Sequence, residues 1–207
     1  MIFFHLINSV GQFIIYALVL ISAFTIHEFM HAYVADKMGD DTPRRTGRLT
    51  LNPLAHLDPL GTIFLFLAGF GWGKPVIINP RNFSNPKMDQ LTVSLAGPMS
   101  NFTLAVMAGL VLRFASVPAV VQEILVMIVF FNLVLMIFNL LPIPPLDGSK
   151  ALALVMSEEN YFKFQQYGIF ILFGLILFSS VIPVIPFILT KAVNFFFILI
   201  TGASAIF

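Results

Sequence analysis

The sequence predicts an all-α polytopic membrane protein of about five transmembrane helices, with a re-entrant or short β segment between the first and second. Three observations carry this. Of 207 residues, 58% are hydrophobic and only 10% charged, with a mean hydropathy of +0.95; a soluble domain carries about 25% charged residues. Asp, Glu, Lys and Arg are missing from residues 6–26, 90–112, 124–146 and 164–190, and again from 192–207, and a crossing helix needs about 20 mostly apolar residues. One further apolar stretch, Leu60 to Phe70, is about eleven residues long, too short to cross as a helix. No repeat, low-complexity tract or soluble domain is visible, so residues 1–207 read as one membrane domain.

Each element follows in order. The first span, near 8–34, lacks a basic leader and a small-residue cleavage site, so it reads as a retained helix. Residues 36–59 are dense in Pro, Gly, Asp and Arg and form a polar loop. The re-entrant stretch, near 60–72, is flanked by Asp58-Pro59 and by Gly71 to Pro75. Residues 74–81, with Val76, Ile77 and Ile78 between prolines, suit a short edge strand. Spans near 90–112, 122–142, 165–182 and 186–205 complete the chain, the last two separated at Pro183 and Pro186.

Charge sets the sides. Lys37, Arg44, Arg45, Arg48, Lys74, Arg81 and Lys87 flank the short stretch, and the positive-inside rule puts all seven in the cytoplasm. With that stretch re-entrant, Lys150 and Lys163 also fall inside, the N-terminus outside and the C-terminus inside. The near balance of 11 Lys+Arg against 10 Asp+Glu gives no hint of nucleic acid, and the absence of cysteine excludes disulfides, thiolate metal sites and cysteine catalysis.

Chemistry concentrates at His27-Glu28-Phe29-Met30-His31, at the inner end of the first span. Positions i and i+4 share a helix face, so both imidazoles can bind one zinc ion, with Glu28 beside them as a base for water. Ionisable groups on adjacent turns in lipid are costly without a function. A third ligand is needed. His5 lies near the opposite membrane face; His56, in the following loop, could approach the metal. Asp147 is the better candidate, because the third span runs outside to inside and ends at the same face as His31. Pro142, Pro144 and Pro145 break that helix, and Gly148 permits a tight turn that aims the carboxylate. In the second span, Gly97 lets helices approach closely, and Asn101 reads first as interhelical glue and second as a direct participant in the site.

These residues carry a resemblance. His27-Glu28-x-x-His31, Leu95 to Asn101, Asn139 to Gly148, and Phe70 to Val76 followed by Asn79-Pro80-Arg81 are similar to the motifs of the site-2 protease family, in that family's order. Larger members carry a PDZ or CBS domain, and the likeness here is to the compact bacterial and archaeal form without either. The resemblance implies a zinc metalloprotease of the M50 type that cuts transmembrane segments of substrate proteins within the bilayer. It implies one zinc per chain on His27, His31 and Asp147, Glu28 as catalytic base, and Asn139 as a residue holding substrate backbone. It also implies a multi-pass protein of a prokaryotic cytoplasmic membrane with its site towards the cytoplasm. Its expected partners are a transmembrane protein substrate and the lipid bilayer, while the sequence leaves homo-oligomerisation open.

Two other classes compete. One is a non-catalytic zinc-binding membrane protein, a transporter or a degenerate helix-binding relative. Against a transporter, the imidazole and acidic groups gather at one helix end and do not line a path across. The other is a prenyl-protein type of HExxH peptidase, whose third ligand comes from a downstream Glu helix; Glu123 and Glu158-Glu159 lack that context.

Overall fold

The computed structural model describes residues 9–68, 71–179 and 183–203. His5, the first residue of the expected first span, residues 69–70 of the short stretch, and the tips of the last two expected spans (180–182 and 204–205) lie outside the described residues. Helices are α1 (Val10–Lys37), α2 (Pro59–Ala68), α3 (Pro86–Phe114), α4 (Ala119–Asn139), α5 (Glu158–Leu177) and α6 (Val184–Thr201). A single helical turn, Thr42–Arg45, and 3-10 segments at Pro53–Ala55, Pro80–Asn82 and Asp147–Leu154 fill the connections.

Local chemistry sets the ends. Ser9 caps α1 by accepting from the Gln12 N–H, and the helix stops where Gly39 takes a φ of +103°. Asn85 caps α3 ahead of Pro86, starting it four residues before the uncharged run. α4 stops at Asn139 because Pro142 follows within a turn. α1, α3, α4 and α6 are the helices long and apolar enough to cross a membrane.

The core lies among α3, α4 and α6, where Ala105, Val129, Leu133, Val193 and Phe197 are buried together. α1 joins α4 at one end, where Tyr16 packs on Phe131 and Glu123 accepts from Tyr16 Oη (2.8 Å) and Gln12 Nε2 (2.9 Å). That polar knot satisfies a carboxylate near the start of α4.

The fourth expected span, near 165–182, is corrected. The helix covering it begins with Glu158, Glu159 and Asn160 and carries Lys163, Gln165 and Gln166, so its first half is polar, and α5 is not among the four apolar helices. It stays at the end of the bundle where α4 finishes. Glu158 pairs with Lys87 at the start of α3 (3.2 Å), Gly168 packs on Pro144, and Leu172 packs with Leu141 and Leu146. α6 starts at that same end, with Ile185 in the Leu141 cluster. It finishes at the other, where Arg113 Nη1 donates to the Leu199 carbonyl (2.9 Å) and Gly109 packs on Ile200. The start of α1 and the end of α6 therefore lie at the same end of the bundle, whereas five crossings would have separated them.

The short stretch forms a ten-residue helix, α2, and residues 72–74 beyond it lie back against residues 56–61. Leu57 bridges Gly73, Lys74 N–H donates to the His56 carbonyl (2.7 Å), and Gly61 sits against the Trp72 carbonyl with no room for a Cβ. The strand expected over 74–81 is also corrected: residues 74–79 carry no regular secondary structure, no strand pairs with them among the described residues, and Pro80–Asn82 closes as a 3-10 turn. Its ends are pinned instead. Asn79 N–H donates to Asp40 Oδ2 (2.7 Å), and Asn82 Nδ2 donates to Asp40 Oδ1 (2.7 Å).

Candidate metal centre

His27 and His31 fall one turn apart on the buried stripe of α1, with Tyr16, Ala23 and Ala35. Asp147 reaches them from the other side. After α4 ends, the chain turns so tightly that a Cβ on Gly148 would overlap the Leu140 carbonyl, and Asp147 opens the 3-10 segment aimed back at α1. His27 Nε2 and His31 Nε2 are 3.0 Å apart, and Asp147 Oδ2 lies 3.2 Å from the first and 3.3 Å from the second. Two of the three residues are buried, and Asp147 is partly so.

The tautomers follow from the surroundings. Asn101, fully buried on α3, donates through Nδ2 to the Ala23 carbonyl (3.2 Å) and to Asn132 Oδ1 (2.8 Å). Its Oδ1 therefore faces His27 Nδ1, 2.6 Å away, and accepts a hydrogen bond from it. The Val93 carbonyl likewise accepts from His31 Nδ1 (2.8 Å). In both neutral rings the proton sits on Nδ1, leaving both Nε2 lone pairs pointing at each other and at a carboxylate oxygen.

Three acceptor atoms facing one another repel unless a cation stands among them. Asp147 Oδ2 is buried and has no hydrogen-bond partner among the described residues. Tetrahedral zinc with bonds of 2.0–2.1 Å holds its ligand atoms about 3.3 Å apart, which is the spacing of this triangle. The donor set, two imidazoles and one carboxylate, suits zinc with a position left open. Asn101 and Val93 fix the orientation of the two rings, as partners of metal-bound histidines do.

Gly97 completes the cradle. A Cβ there would lie against His31 Nε2 and 2.6 Å from His27 Nε2, so the α3 backbone serves as the floor of the site. Glu28 is half-buried on α1 next to His27. Asn139 lies half-buried at the end of α4, its Nδ2 donating to the Leu135 carbonyl (2.9 Å). His56 is not brought to the triangle: it is buried in its own loop, with Nε2 on the Thr50 carbonyl (2.9 Å). Sequence reasoning missed Asn132 and the Val93 carbonyl. Asn132 could have been found, since a lone amide in the middle of an apolar helix needs a polar partner.

Comparison with known proteins decides the family. Residues 115–179, which contain α4 and Asp147, match Peptidase family M50. The chain is 30% identical over 145 residues to MJ0611 of Methanocaldococcus jannaschii, covering 70% of this chain and 72% of that protein. The chain belongs to peptidase family M50. Other relatives are more similar in sequence. YwhC of Bacillus subtilis is 47% identical over 138 residues, 62% of this chain and 63% of that protein. Rip2 of Mycolicibacterium smegmatis is 32% identical over 161 residues, 74% of this chain and 62% of that protein. All three are named "putative zinc metalloprotease". The M50 chain spans a little over three-fifths of the length of YwhC and of Rip2. No solved structure matches it.

Proposed function

We propose that this chain is a zinc-dependent intramembrane endopeptidase that hydrolyses peptide bonds in the transmembrane segments of other proteins. The observation that carries the reading is the Nε2–Nε2–Oδ2 triangle of His27, His31 and Asp147, with its unsatisfied carboxylate oxygen, inside a bundle of apolar helices. When bound there, zinc supplies a Lewis acid that acidifies water and polarises the scissile carbonyl.

The chain's own residues do the rest. His27, His31 and Asp147 hold the ion, while Asn101 and the Val93 carbonyl fix the two ring orientations. Glu28 takes the proton from the attacking water and delivers it to the leaving amine nitrogen. Asn139 has its amide nitrogen on its own helix, which leaves its Oδ1 to accept from a substrate backbone N–H.

A helical substrate must unwind before attack, and residues 74–79, which carry no regular secondary structure of their own, suit the unwound strand. The N–H groups of Val76, Ile77 and Ile78 make no hydrogen bond among the described residues. Ile78 packs with Val93, whose carbonyl holds His31. Substrate pairs with this edge by strand addition, and proline at Val76, Ile77 and Ile78 should abolish cleavage while leaving bound zinc in place. Unchanged cleavage in that triple variant would remove the strand-addition step. α2 dips into the membrane and returns to the face it left, the site faces the cytoplasm of a prokaryotic cell, and the start of α1 lies outside. The flanking cations favour that orientation.

The deciding experiment measures zinc per chain and cleavage of a transmembrane substrate together. Wild type should hold one zinc and cut, Asp147→Ala should lose the metal, and Glu28→Gln should keep the metal but lose cleavage. Zinc retained by Asp147→Ala would remove that carboxylate from the ligand set. Cleavage retained by Glu28→Gln would remove the assigned base.

A further inference from the structure

Outside the metal centre, one charged side chain stands in an unusual place. Lys191 sits near the middle of α6, the last apolar helix, and is exposed. At 1.5 Å per residue it lies about 10 Å from the start of the helix and about 15 Å from its end. The face of α6 that packs on the bundle carries Val193, Phe197 and Ile200. Lys191 lies on the opposite face, in line with exposed Val184, Phe187, Phe195 and Ile198, which are lipid-facing if α6 crosses the membrane.

No hydrogen bond, ion pair or ring contact involves Lys191 among the described residues. Other cations do have partners: Arg44 holds Asp36, Lys87 holds Glu158, and Arg113 holds the Leu199 carbonyl. An ammonium in hydrocarbon is costly, and such groups in membranes characteristically pair with a carboxylate. The chain's own acidic residues are no source of one. Glu28 and Asp147 belong to the site, Glu123 is held by Gln12 and Tyr16, and the remaining seven lie in loops or at the polar ends of helices. A second copy of the chain therefore offers no free carboxylate at this depth.

We propose that the outer face of α6 is a docking surface for a transmembrane helix of a different protein, whose Asp or Glu near mid-membrane pairs with Lys191. Phe187 and Phe195, one turn before and after the lysine, supply the apolar contact that flanks the ion pair and keeps it dry. The surface lies across α6 from the core and apart from the metal, so it serves to recruit or hold a partner. It does not depend on the catalytic reading.

The test uses the full chain in phosphatidylcholine vesicles, with a fluorophore on a cysteine introduced at Gly202, since the sequence has none of its own. Acceptor-labelled polyleucine transmembrane peptides carry a single central Asp, Asn or Lys. Energy transfer should report association at least ten-fold tighter for the Asp peptide than for the Asn peptide. Lys191→Leu should erase the difference, Lys191→Arg should keep it, and Lys191→Glu should transfer the preference to the Lys peptide. Equal association of the Asp and Asn peptides with the wild-type chain would overturn the proposal. So would loss of the preference when phosphatidylglycerol is added, because the ammonium would then be reaching lipid headgroups.

Discussion

Gly97 and Asp40 show how single residues govern the site from beneath and from outside. The floor under the imidazoles has no room for a methyl group, and His27 cannot retreat because Asn101 holds its other nitrogen. Gly97→Ala should therefore leave the helices assembled, since alanine favours a helix by about 1 kcal/mol over glycine, yet lower metal affinity by roughly 10- to 100-fold. Zinc titration alongside circular dichroism checks both halves; unchanged affinity would mean the floor is not rigid. Asp40 accepts from the Thr42 N–H and hydroxyl, the Asn79 N–H and Asn82 Nδ2. Burial works to raise its pKa, but these donors outweigh burial and hold the carboxyl below the usual carboxylate range. A folded value below the unfolded one, about 3.9, gives stability that is fully present above that pH and is lost as pH falls through the folded value. In detergent, wild type should melt above Asp40→Asn at pH 6, and the gap should close below about pH 4. A gap independent of pH would show that the charge on Asp40 contributes nothing.

Among the elements, α1, α3 and α4 were legible because each signal was local: an uncharged run and, for α4, the prolines that end it. The meeting of His27, His31 and Asp147 was legible for a related reason, since an HExxH spacing on a helix and a proline-broken turn each fix a side chain's direction within a few residues. α5 was misread because absence of charge was allowed to stand for apolarity. Gln165, Gln166 and Tyr167 carry no charge, yet they share a helix with Glu158, Glu159 and Lys163 and belong to its polar half. The 74–79 segment was misread because a strand needs a partner, and the chain supplies none there among the described residues. Interhelical chemistry such as Asn101 with Asn132 was hidden because register between helices is a tertiary property. α5 nevertheless bears on the site, since Gly168 packs directly on Pro144, three residues before Asp147. Gly168→Val should push the two apart, cost about 1–3 kcal/mol of stability, and weaken zinc binding without touching a ligand. A melting curve and a zinc titration on the same sample read both effects, and full-strength zinc binding would uncouple α5 from the aspartate loop.

At the scale of the whole molecule, the decisive fact is that α6 ends where α3 ends. Arg113 bonds the Leu199 carbonyl and Gly109 meets Ile200, so α6 runs from the site end of the bundle to the far end. Four crossings would then bring both described ends of the chain to one side, with Arg81 and the loop that pins the 74–79 segment on the other. Five crossings would put position 202 on the same side as Arg81. Single cysteines at Ser9, Arg81 and Gly202 separate these arrangements, because any thiol that reacts is the introduced one. In oriented membrane vesicles, an impermeant maleimide should label positions 9 and 202 from one side and position 81 only after the vesicles are opened, or the reverse in vesicles of opposite orientation. Shared protection of 81 and 202 would mean that α5 crosses after all, and Lys191 would still lie within α6 but with its depth counted from the opposite face. Labelling of 9 and 202 together makes α5 a helix of the site end, where its polar half can meet water while its apolar half stays against Leu141 and Leu146.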